Sequence, residues 1–331
     1  MARSGSLSSI TVLGECVADI FVDPAPSGPD GLSLRAMPGG GPANTAVALA
    51  RLGTPTRFLG RFSKDTFGAL FRARLGASGV DLTASVNASE PSTLAVADLD
   101  ATGQAAYAFY ANGAADWQWT DHELAEAIED DAVCLHTGSL ALVSEPGGSR
   151  IEHHLAQARE HATVSIDPNV RPLLVPPSVY RERLPRWCAA ADILRLSEED
   201  CGILAPGAGL EEACDTWHAA GTPLVVITLG GRGALVSLDG RRVTVPAPPV
   251  VIVDTVGAGD SFTAGLLHHL AALGHLGGRL DQLTLDDVTE ACAFAAQVAA
   301  LTCSVSGANP PWADGSRLRI GAAPDLPELE G

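Results

Sequence analysis

Residues 253–265 read Val-Asp-Thr-Val-Gly-Ala-Gly-Asp-Ser-Phe-Thr-Ala-Gly, and this stretch carries the most information about fold and chemistry. The apolar run 249–253 is predicted to form a strand that leads into a glycine loop and then into a helix. Gly257 and Gly259 have no Cβ, so a ligand can approach the backbone there. The free N–H groups of the first helical turn, together with the helix dipole, form a site for an anion.

Asp260 stands at the start of this predicted helix, and two interpretations of its role stay open. A carboxylate repels a phosphate group, so the residue is out of place in a simple phosphate site. It suits phosphoryl transfer if the amides hold the transferring group while Asp260 accepts a proton from the attacking hydroxyl. The alternative is that Asp260 only caps the helix and stabilises its N-terminus.

A second glycine segment, Gly39-Gly40-Gly41, precedes another predicted helix, and Asn44 lies on its first turn. Apolar residues at 43, 46, 47 and 50 have the spacing of one helix face. The glycines allow a polyhydroxylated ligand to come close, and the Asn44 amide can both donate to and accept from its hydroxyls. The alternative is a tight turn between a strand and a helix, without a ligand.

The rest of the sequence alternates between predicted strands and predicted helices. The predicted strands are 9–14, 18–23, 56–60, 132–136, 163–166, 192–196 and 223–228. The predicted helices are 65–75, 150–161, 178–189, 210–219, 260–274 and 286–303. This alternation predicts an α/β fold with a mainly parallel central sheet and helices on both faces, in a single domain spanning residues 1–331.

Two segments break the alternation and are predicted to be hairpins. Residues 92–110 alternate with period two on either side of a turn at 101–103. The runs 233–238 and 242–246 are joined by Asp239-Gly240, a strong signal for a two-residue hairpin turn.

Charge composition excludes several classes of function. The chain has 21 Lys and Arg against 39 Asp and Glu, for a net charge of −18. Such a surface repels nucleic acids and anionic membranes, so neither is expected as a partner. Lys64 is the only lysine. A Walker A loop, which requires Gly-Lys-Ser/Thr, is therefore absent.

The seven cysteines show no C-x-x-C spacing and are expected to be reduced, buried thiols. Residues 1–9 lack the apolar stretch of a signal peptide, and no apolar run reaches the ~18 residues of a membrane span. We therefore expect a soluble, cytoplasmic protein.

The two glycine segments together resemble the two signatures of the PfkB (ribokinase-like) family of carbohydrate kinases, in particular its fructokinase-like members. The matching residues are 39–53 and 254–262, and the resemblance runs from Ile10 to Pro311. It implies a ribokinase-like fold in which residues about 16–37 and 91–111 form a small β lid over the substrate.

The resemblance also implies roles for particular residues. Asp260 would be the catalytic base, and the amides of Gly257, Ala258, Gly259 and Asp260 itself would form the anion hole. The residues implied for sugar binding are Asp19, Gly39, Gly40, Asn44, Tyr110, Asn169 and Arg171.

Two of these assignments have alternatives. Asn169 and Arg171 belong to Asp167-Pro168-Asn169-Val170-Arg171, which resembles the Asp-Pro-Asn-x-Arg of fructokinase-like members, but Arg171 could instead form a surface ion pair. Tyr110 could supply an aromatic ring to the substrate, or pack on the underside of its own hairpin.

Nucleotide and metal sites follow from the same resemblance. The loop 228–233 would hold ATP through Thr228, Gly230 and Gly233. Ser197-Glu198-Glu199-Asp200 aligns with an Asn-x-x-Glu motif of the family, which places Ser197 near the nucleotide and Asp200 or Glu199 near Mg²⁺. The alternative is that Ser197 is a helix N-cap with Asp200 at the third helical position.

Residues 302–309 resemble a loop that binds a monovalent cation such as K⁺ in many members. Asp254, Val256 and Gly307 would contribute to this site, in part through carbonyl groups that have no sequence signature.

The predicted function is ATP-dependent phosphorylation of a sugar, most similar to fructokinase. 2-Keto-3-deoxygluconate kinase, ribokinase and nucleoside kinase are alternatives within the family, and a non-catalytic sugar-binding regulator is an alternative outside catalysis. An NAD-dependent dehydrogenase is disfavoured because residues 14–19 lack the G-x-G-x-x-G pattern after the first strand. Exposed lid strands make a homodimer through the lid plausible.

Overall fold

Six short apolar runs of the sequence lie side by side as parallel strands at the centre of the molecule. The structure is a computed structural model that describes residues 9–28, 30–99, 105–127, 132–315 and 317–321. The parallel strands follow the order β12 (Leu224–Thr228), β11 (Ile193–Ser197), β10 (Thr163–Asp167), β9 (Cys134–Gly138), β1 (Ile10–Leu13) and β4 (Thr56–Leu59). Two antiparallel strands, β13 (Ala234–Leu238) and β14 (Arg241–Val245), extend the sheet beyond β12. The predicted mainly parallel sheet is therefore confirmed.

The strands are β1 Ile10–Leu13, β2 Val17–Gly28, β3 Gly31–Gly39, β4 Thr56–Leu59, β5 Arg61–Ser63, β6 Val86–Ala88, β7 Thr93–Leu99, β8 Ala105–Tyr110, β9 Cys134–Gly138, β10 Thr163–Asp167, β11 Ile193–Ser197, β12 Leu224–Thr228, β13 Ala234–Leu238, β14 Arg241–Val245, β15 Trp312–Asp314 and β16 Arg317–Arg319. The helices are α1 Gly41–Arg51, α2 Thr66–Ala77, α3 Asp121–Ala127, α4 Gly147–Ala158, α5 Pro177–Ala190, α6 Glu198–Leu204, α7 Leu210–Ala219, α8 Ala258–Ala272 and α9 Leu285–Cys303.

Helices cover both faces of the central sheet, as predicted. One buried apolar cluster joins the sheet to α1, α2, α8 and α9. A second cluster joins the opposite face to α3 and to the helices from α4 to α7. Burial on both faces explains why the central strands read as continuous apolar runs rather than as alternating ones. None of the helices in the described ranges is long and apolar enough to cross a bilayer.

The lid is a separate four-stranded sheet with the order β3-β2-β7-β8. It is mixed, because β2 is antiparallel to β3 but parallel to β7. Its strands come largely from the segments 16–37 and 91–111 predicted for the lid, although β2 runs beyond the predicted 18–23 to Gly28 and β3 was not predicted as a strand. That these segments close over a substrate stays a prediction. Strands β7 and β8 form the predicted hairpin, whose turn at 101–103 lies outside the described residues.

The strand predicted over 249–253 was wrong. This segment has no regular secondary structure, and Val251, Ile252 and Val253 are largely exposed. Pro246, Pro248 and Pro249 have no N–H to donate to a neighbouring strand, which disfavours a place in the sheet. The apolar side chains of this segment therefore belong to the surface of the protein and not to the central sheet.

The seven cysteines are free thiols, all buried except the partly exposed Cys303, which agrees with the sequence prediction. That residues 1–331 form a single domain stays a prediction.

Candidate active site

A cavity of about 360 Å³ lies at the carboxyl ends of the parallel strands, where ligands bind in open α/β sheets. The lid covers one side of it, and the N-termini of α1 and α8 form another. Its lining includes many of the residues predicted for the site: Asp19, Gly40, Asn44, Asn169, Arg171, Gly257, Gly259 and Asp260. Segments from both ends of the sequence therefore meet in one pocket.

Asn44 and Asp260 are in direct contact, although 216 positions separate them in sequence. The Asn44 Nδ2 donates a hydrogen bond to Asp260 Oδ2 at 2.9 Å. Gly41 makes this approach of the two helices possible, because a Cβ there would lie 2.7 Å from Asn169 Nδ2 and 3.3 Å from Asp260 Oδ1. The glycine triplet thus does more than form a turn, since it clears space beside the carboxylate.

The environment of Asp260 tunes its acidity. Desolvation by the surrounding protein raises the pKa of Asp260 to about 6, and the nearby Asp167 acts in the same direction. The Asn44 hydrogen bond and the positive charges of Arg171 and Arg195 oppose this rise. A carboxylate with a pKa near 6 is ionised at neutral pH and is a better proton acceptor than an ordinary aspartate.

Asp19 points into the same cavity from β2, and Gly39 lies behind it. A Cβ at Gly39 would overlap the Asp19 carboxylate, so this glycine supports Asp19 rather than lining the cavity itself. Burial raises the pKa of Asp19 to about 6, and the charge of Arg171 partly offsets the effect. A buried carboxylate of this kind is a hydrogen-bond acceptor for a ligand hydroxyl.

Two residues that line the cavity adopt left-handed backbone conformations that are unusual outside glycine. Ser139 has φ 56° and Asn169 has φ 39°. Such conformations persist where the surrounding structure imposes them, and they concentrate at functional sites. The Asn169 N–H donates to Asp167 Oδ1, which helps to hold this turn at the end of β10.

The start of α8 has the geometry expected of the predicted anion hole, with one difference. Gly257 is the N-cap with φ 76°, and a Cβ there would lie 2.6 Å from Ala308 Cβ, so only glycine fits. The Ala258 N–H donates to the Thr255 carbonyl at 3.2 Å and is therefore engaged within the loop. The assignment of Ala258 to the hole is corrected, because the amides left for an anion are those of Gly257, Gly259 and Asp260.

A second cavity of about 240 Å³ adjoins the first. Thr228, Gly230 and Gly233, the residues predicted to hold ATP, line it, and the exposed apolar side chains of Val250 and Ile252 form part of its wall. An apolar cleft with a few polar groups suits a planar ring such as a nucleotide base.

The two cavities meet at the start of α8. Arg195, Thr255 and Gly259 line both of them. A group that passes from one cavity to the other would therefore pass beside the free amides of this helix.

The predicted role of Tyr110 is corrected by the register of the lid. Ala95 on β7 lines the cavity and pairs with Phe109 on β8, which lines it too. Leu94 pairs with Tyr110, so Tyr110 belongs to the opposite face of the sheet, where it is 62% exposed. Of the two neighbours, Phe109 and not Tyr110 faces the pocket.

Ser197 and Asp200 form a helix cap. The two side chains make a capping box at the start of α6, and Asp200 Oδ1 also accepts the Val170 N–H at 2.9 Å. Both carboxylate oxygens are therefore engaged, while Glu199 is exposed. Neither Ser197, Asp200 nor Glu199 lines either cavity, so these residues do not fit as direct ligands of a nucleotide-bound metal ion.

Asp254 and Gly307 lie together as predicted. Asp254 Oδ2 accepts the Gly307 N–H at 2.7 Å, and Oδ1 accepts the Val256 N–H at 3.1 Å. The carboxylate thereby ties the loop before α8 to the loop after α9. The two loops are therefore joined at the place predicted for a monovalent cation, and the cation site itself stays a prediction.

Several residues that line the cavity were not assigned to the site from the sequence, among them Glu15, Phe109 and Arg195. Glu15 follows β1 directly, and burial raises its pKa to about 7. Arg195 lies between two leucines inside a predicted strand, and a charged residue in such a run is a signal that could have revealed it. No comparable signal distinguished Phe109 from its neighbour in the lid.

Known proteins similar to this chain in sequence and structure are carbohydrate kinases. The model of the "pfkB family carbohydrate kinase" matches residues 7–314. A fructokinase of Rhizobium leguminosarum bv. trifolii is 37% identical over 263 residues, which is 79% of each chain.

Among solved structures, the fructokinase of Xylella fastidiosa with bound ATP superposes with a TM-score of 0.82 at 27% identity, covering 91% of this chain and 93% of that one. The fructokinase of Vibrio cholerae O395 with fructose, ADP and calcium bound has a TM-score of 0.77 at 30% identity, with 92% and 95% covered. A double mutant of the latter holds fructose, ADP and a potassium ion.

Proposed function

Since the chain belongs to the pfkB family of carbohydrate kinases, we propose that it is an ATP-dependent, fructokinase-like sugar kinase in which Asp260 is the catalytic base. The observation that carries this assignment is the position of Asp260. It accepts a hydrogen bond from Asn44 in the first cavity and lies at the start of α8, where the second cavity adjoins the first.

The sugar occupies the larger cavity under the lid, and ATP occupies the adjoining one. Asp260 accepts the proton of a sugar hydroxyl as the hydroxyl oxygen forms a bond to the γ-phosphorus of ATP. The bond between that phosphorus and the bridging oxygen of ADP breaks, and ADP leaves with the electron pair. The amides of Gly257, Gly259 and Asp260 stabilise the negative charge on the group in transit.

The polar lining of the larger cavity supports a ketose such as fructose as the substrate. Asp19 and Asn44 offer hydrogen-bond acceptors and a donor to its hydroxyls, and Asn169 and Arg171 add donors from the end of β10. Phe109 provides one apolar surface against the sugar ring. A purine nucleoside is less well matched, because Tyr110 lies on the other face of the lid.

ATP acts together with a divalent or monovalent cation. We propose that the divalent ion is Mg²⁺, held by the ATP phosphates and water rather than by the capped Asp200 carboxylate. The loops joined by Asp254 and Gly307 support K⁺ as the monovalent cation. Replacing K⁺ by a bulky organic cation at constant ionic strength is expected to lower kcat, whereas an unchanged kcat would remove this role.

The exposed edge strands of the lid support a homodimer. Leu32 and Leu34 on β3 and Tyr110 on β8 lie on the two edge strands of this sheet and are 70%, 55% and 62% exposed. We expect a dimer in light scattering at micromolar concentration, and a monomer after Leu34→Asp. A wild-type monomer would contradict this part of the proposal.

The assignment is tested by measuring ADP release from ATP and Mg²⁺ with fructose, 2-keto-3-deoxygluconate, ribose and adenosine. Fructose is expected to give the highest kcat/KM. A sugar that raises the melting temperature without any ADP release would identify a binding protein instead of a kinase.

Asp260→Asn separates a catalytic role from a structural one, because Gly257 is the N-cap of α8 and no side chain of the described residues caps this helix. The variant is expected to lower kcat by at least ~10²–10⁴-fold while it keeps the melting temperature and the affinity for ATP, because asparagine has nearly the same shape as aspartate but cannot accept the proton. A variant with the parental kcat would show that the Asp260 carboxylate is not the base.

A further inference from the structure

Arg195 is a buried cation in the interior of the central sheet. It lies within β11 between Leu194 and Leu196, and only 5% of its surface is exposed. A charged side chain in such a place is costly unless it is paired.

Two neighbouring strands hold its guanidinium in place. One terminal nitrogen donates to Asp167 Oδ2 at 2.7 Å, at the end of β10. The other donates to Thr228 Oγ1 at 2.8 Å, at the end of β12. The planar group is therefore fixed across the carboxyl edge of three adjacent strands, and its Nε is buried without a hydrogen-bond partner in the described residues.

The guanidinium also lies directly beneath the first turn of α8. A Cβ at Gly259 would stand 2.8 Å and 3.0 Å from its two terminal nitrogens. Gly259 contributes one of the free amides of the anion hole. A negative group seated at these amides would therefore be next to a full positive charge as well.

No other cation of the described residues lines both cavities. Arg171 lines only the larger one, and Lys64, the only lysine, is exposed and lines neither. Arg195 thus stands where the two proposed substrates meet.

We propose that Arg195 is a catalytic residue of the phosphoryl transfer and contacts the phosphoryl group as it passes from ATP to the sugar oxygen. This inference rests on the proposed function of the site. As the new oxygen–phosphorus bond forms and the bond to the bridging oxygen of ADP breaks, the negative charge on the transferring group is shared with the guanidinium. The proton of the sugar hydroxyl goes to Asp260, and Arg195 keeps its own protons throughout.

The competing explanation is structural, because Arg195 also neutralises the buried Asp167. Loss of the arginine alone would leave that carboxylate unpaired and could disturb the fold. Four variants separate the two roles: Arg195→Met, Arg195→Lys, Asp167→Asn, and the double variant Asp167→Asn with Arg195→Met, in which the buried pair is replaced by neutral groups.

The readouts are kcat with fructose, KM for ATP, the dissociation constant of ADP, and the melting temperature. We expect Arg195→Met and the double variant to lower kcat by ~10²–10³-fold, the usual cost of one lost donor to a transition-state charge. The affinity for ADP, which lacks the transferred group, should change less than about tenfold. Arg195→Lys should recover part of kcat, because it keeps the charge but loses the planar fork.

Guanidinium rescue provides a readout that a structural role would not move. In Arg195→Ala, added guanidinium ion at millimolar concentration should raise kcat, whereas the same concentration of sodium ion should not. Arg171→Met is the matched control on the sugar side, and we expect it to raise the KM for fructose without being rescued.

The outcomes distinguish the two levels of the proposal. Parental kcat in the double variant would overturn the catalytic role and leave Arg195 as the partner of Asp167. A wild-type protein that phosphorylates no sugar on the panel would overturn the proposed function, and the inference with it. An active wild type with an inactive, well-folded double variant would support both.

Discussion

The hydrogen bond between Asn44 and Asp260 allows the acidity of the proposed base to be tested directly. The perturbation is Asn44→Leu, which keeps a similar volume but removes the Nδ2 donor that lies 2.9 Å from Asp260 Oδ2. The lost bond favours the charged form of the carboxylate, so its removal raises the pKa of Asp260 above its present value of about 6.

The magnitude follows from the usual strength of such a bond. A hydrogen bond to a charged group contributes about 1.5–3 kcal/mol, and 1.36 kcal/mol corresponds to one pKa unit. The pKa of Asp260 should therefore rise by about 1 to 2, toward the lower end of that range where water takes the place of the amide. The base is active only when it is deprotonated, so the acidic limb of the pH profile should move upward by the same amount.

The assay is kcat/KM for fructose at saturating ATP, measured between pH 5 and 9. The wild type should lose half of its kcat/KM near pH 6, and Asn44→Leu between about pH 7 and 8. The variant will also have a lower plateau, since Asn44 is proposed to bind the sugar, but the position of the limb is independent of the plateau.

Thr45→Val is the matched control. Thr45 lies on the same helix and donates a long hydrogen bond of 3.4 Å to the backbone carbonyl of Asp260, not to its carboxylate. Its limb should stay at the wild-type pH. If the limb of Asn44→Leu does not move, or if both variants move equally, then the reasoning that assigns the acidic limb to Asp260 is refuted.

Three further predictions concern the lid, a buried acid and the anion hole. Phe109→Ala should raise the KM for fructose about tenfold, equivalent to ~1.4 kcal/mol, whereas Tyr110→Ala should not change it; the reverse pattern would contradict the register of the lid. Burial raises the pKa of Glu15 from its ordinary value near 4.5 to about 7. The folded state therefore binds this proton more tightly than the unfolded state, and the free energy of unfolding falls as the pH rises from about 4.5 through 7. In urea unfolding, the free energy of unfolding of Glu15→Gln should therefore rise by about 2 kcal/mol relative to that of the wild type between pH 5 and pH 8. An equal difference between the two proteins at both pH values would show that Glu15 titrates normally. Gly259→Ala should lower kcat at least ~10-fold by displacing the Arg195 guanidinium, because a Cβ there would stand 2.8 Å and 3.0 Å from its terminal nitrogens; a parental kcat would show that the guanidinium has room to move without consequence.

Local sequence signals predicted the framework of this protein well. The order of strands and helices follows from the positions of apolar runs and of glycine and proline, and the hairpin at Asp239-Gly240 forms where its turn residues indicate. These features depend on neighbours in sequence, so they can be derived from a single chain. The two glycine segments likewise mark the starts of α1 and α8 within two residues.

Errors arose where a local pattern had more than one use. The run 249–253 has the composition of a strand, but prolines flank it and its side chains remain exposed. Ser197 and Asp200 have the spacing of a metal motif and also that of a capping box, and the hydrogen bonds of the structure correspond to the cap. In both cases the local pattern is compatible with two structures.

By itself, the sequence determined the α/β alternation, the lid segments and the two glycine loops, because each depends on the preferences of neighbouring residues. Only the tertiary structure decided that Phe109 and not Tyr110 faces the pocket, since a shift of one residue turns a strand over and the register depends on the strand beside it. The same holds for Arg195, whose position between the two cavities results from contacts with Asp167, Thr228 and Gly259, which come from three distant parts of the chain.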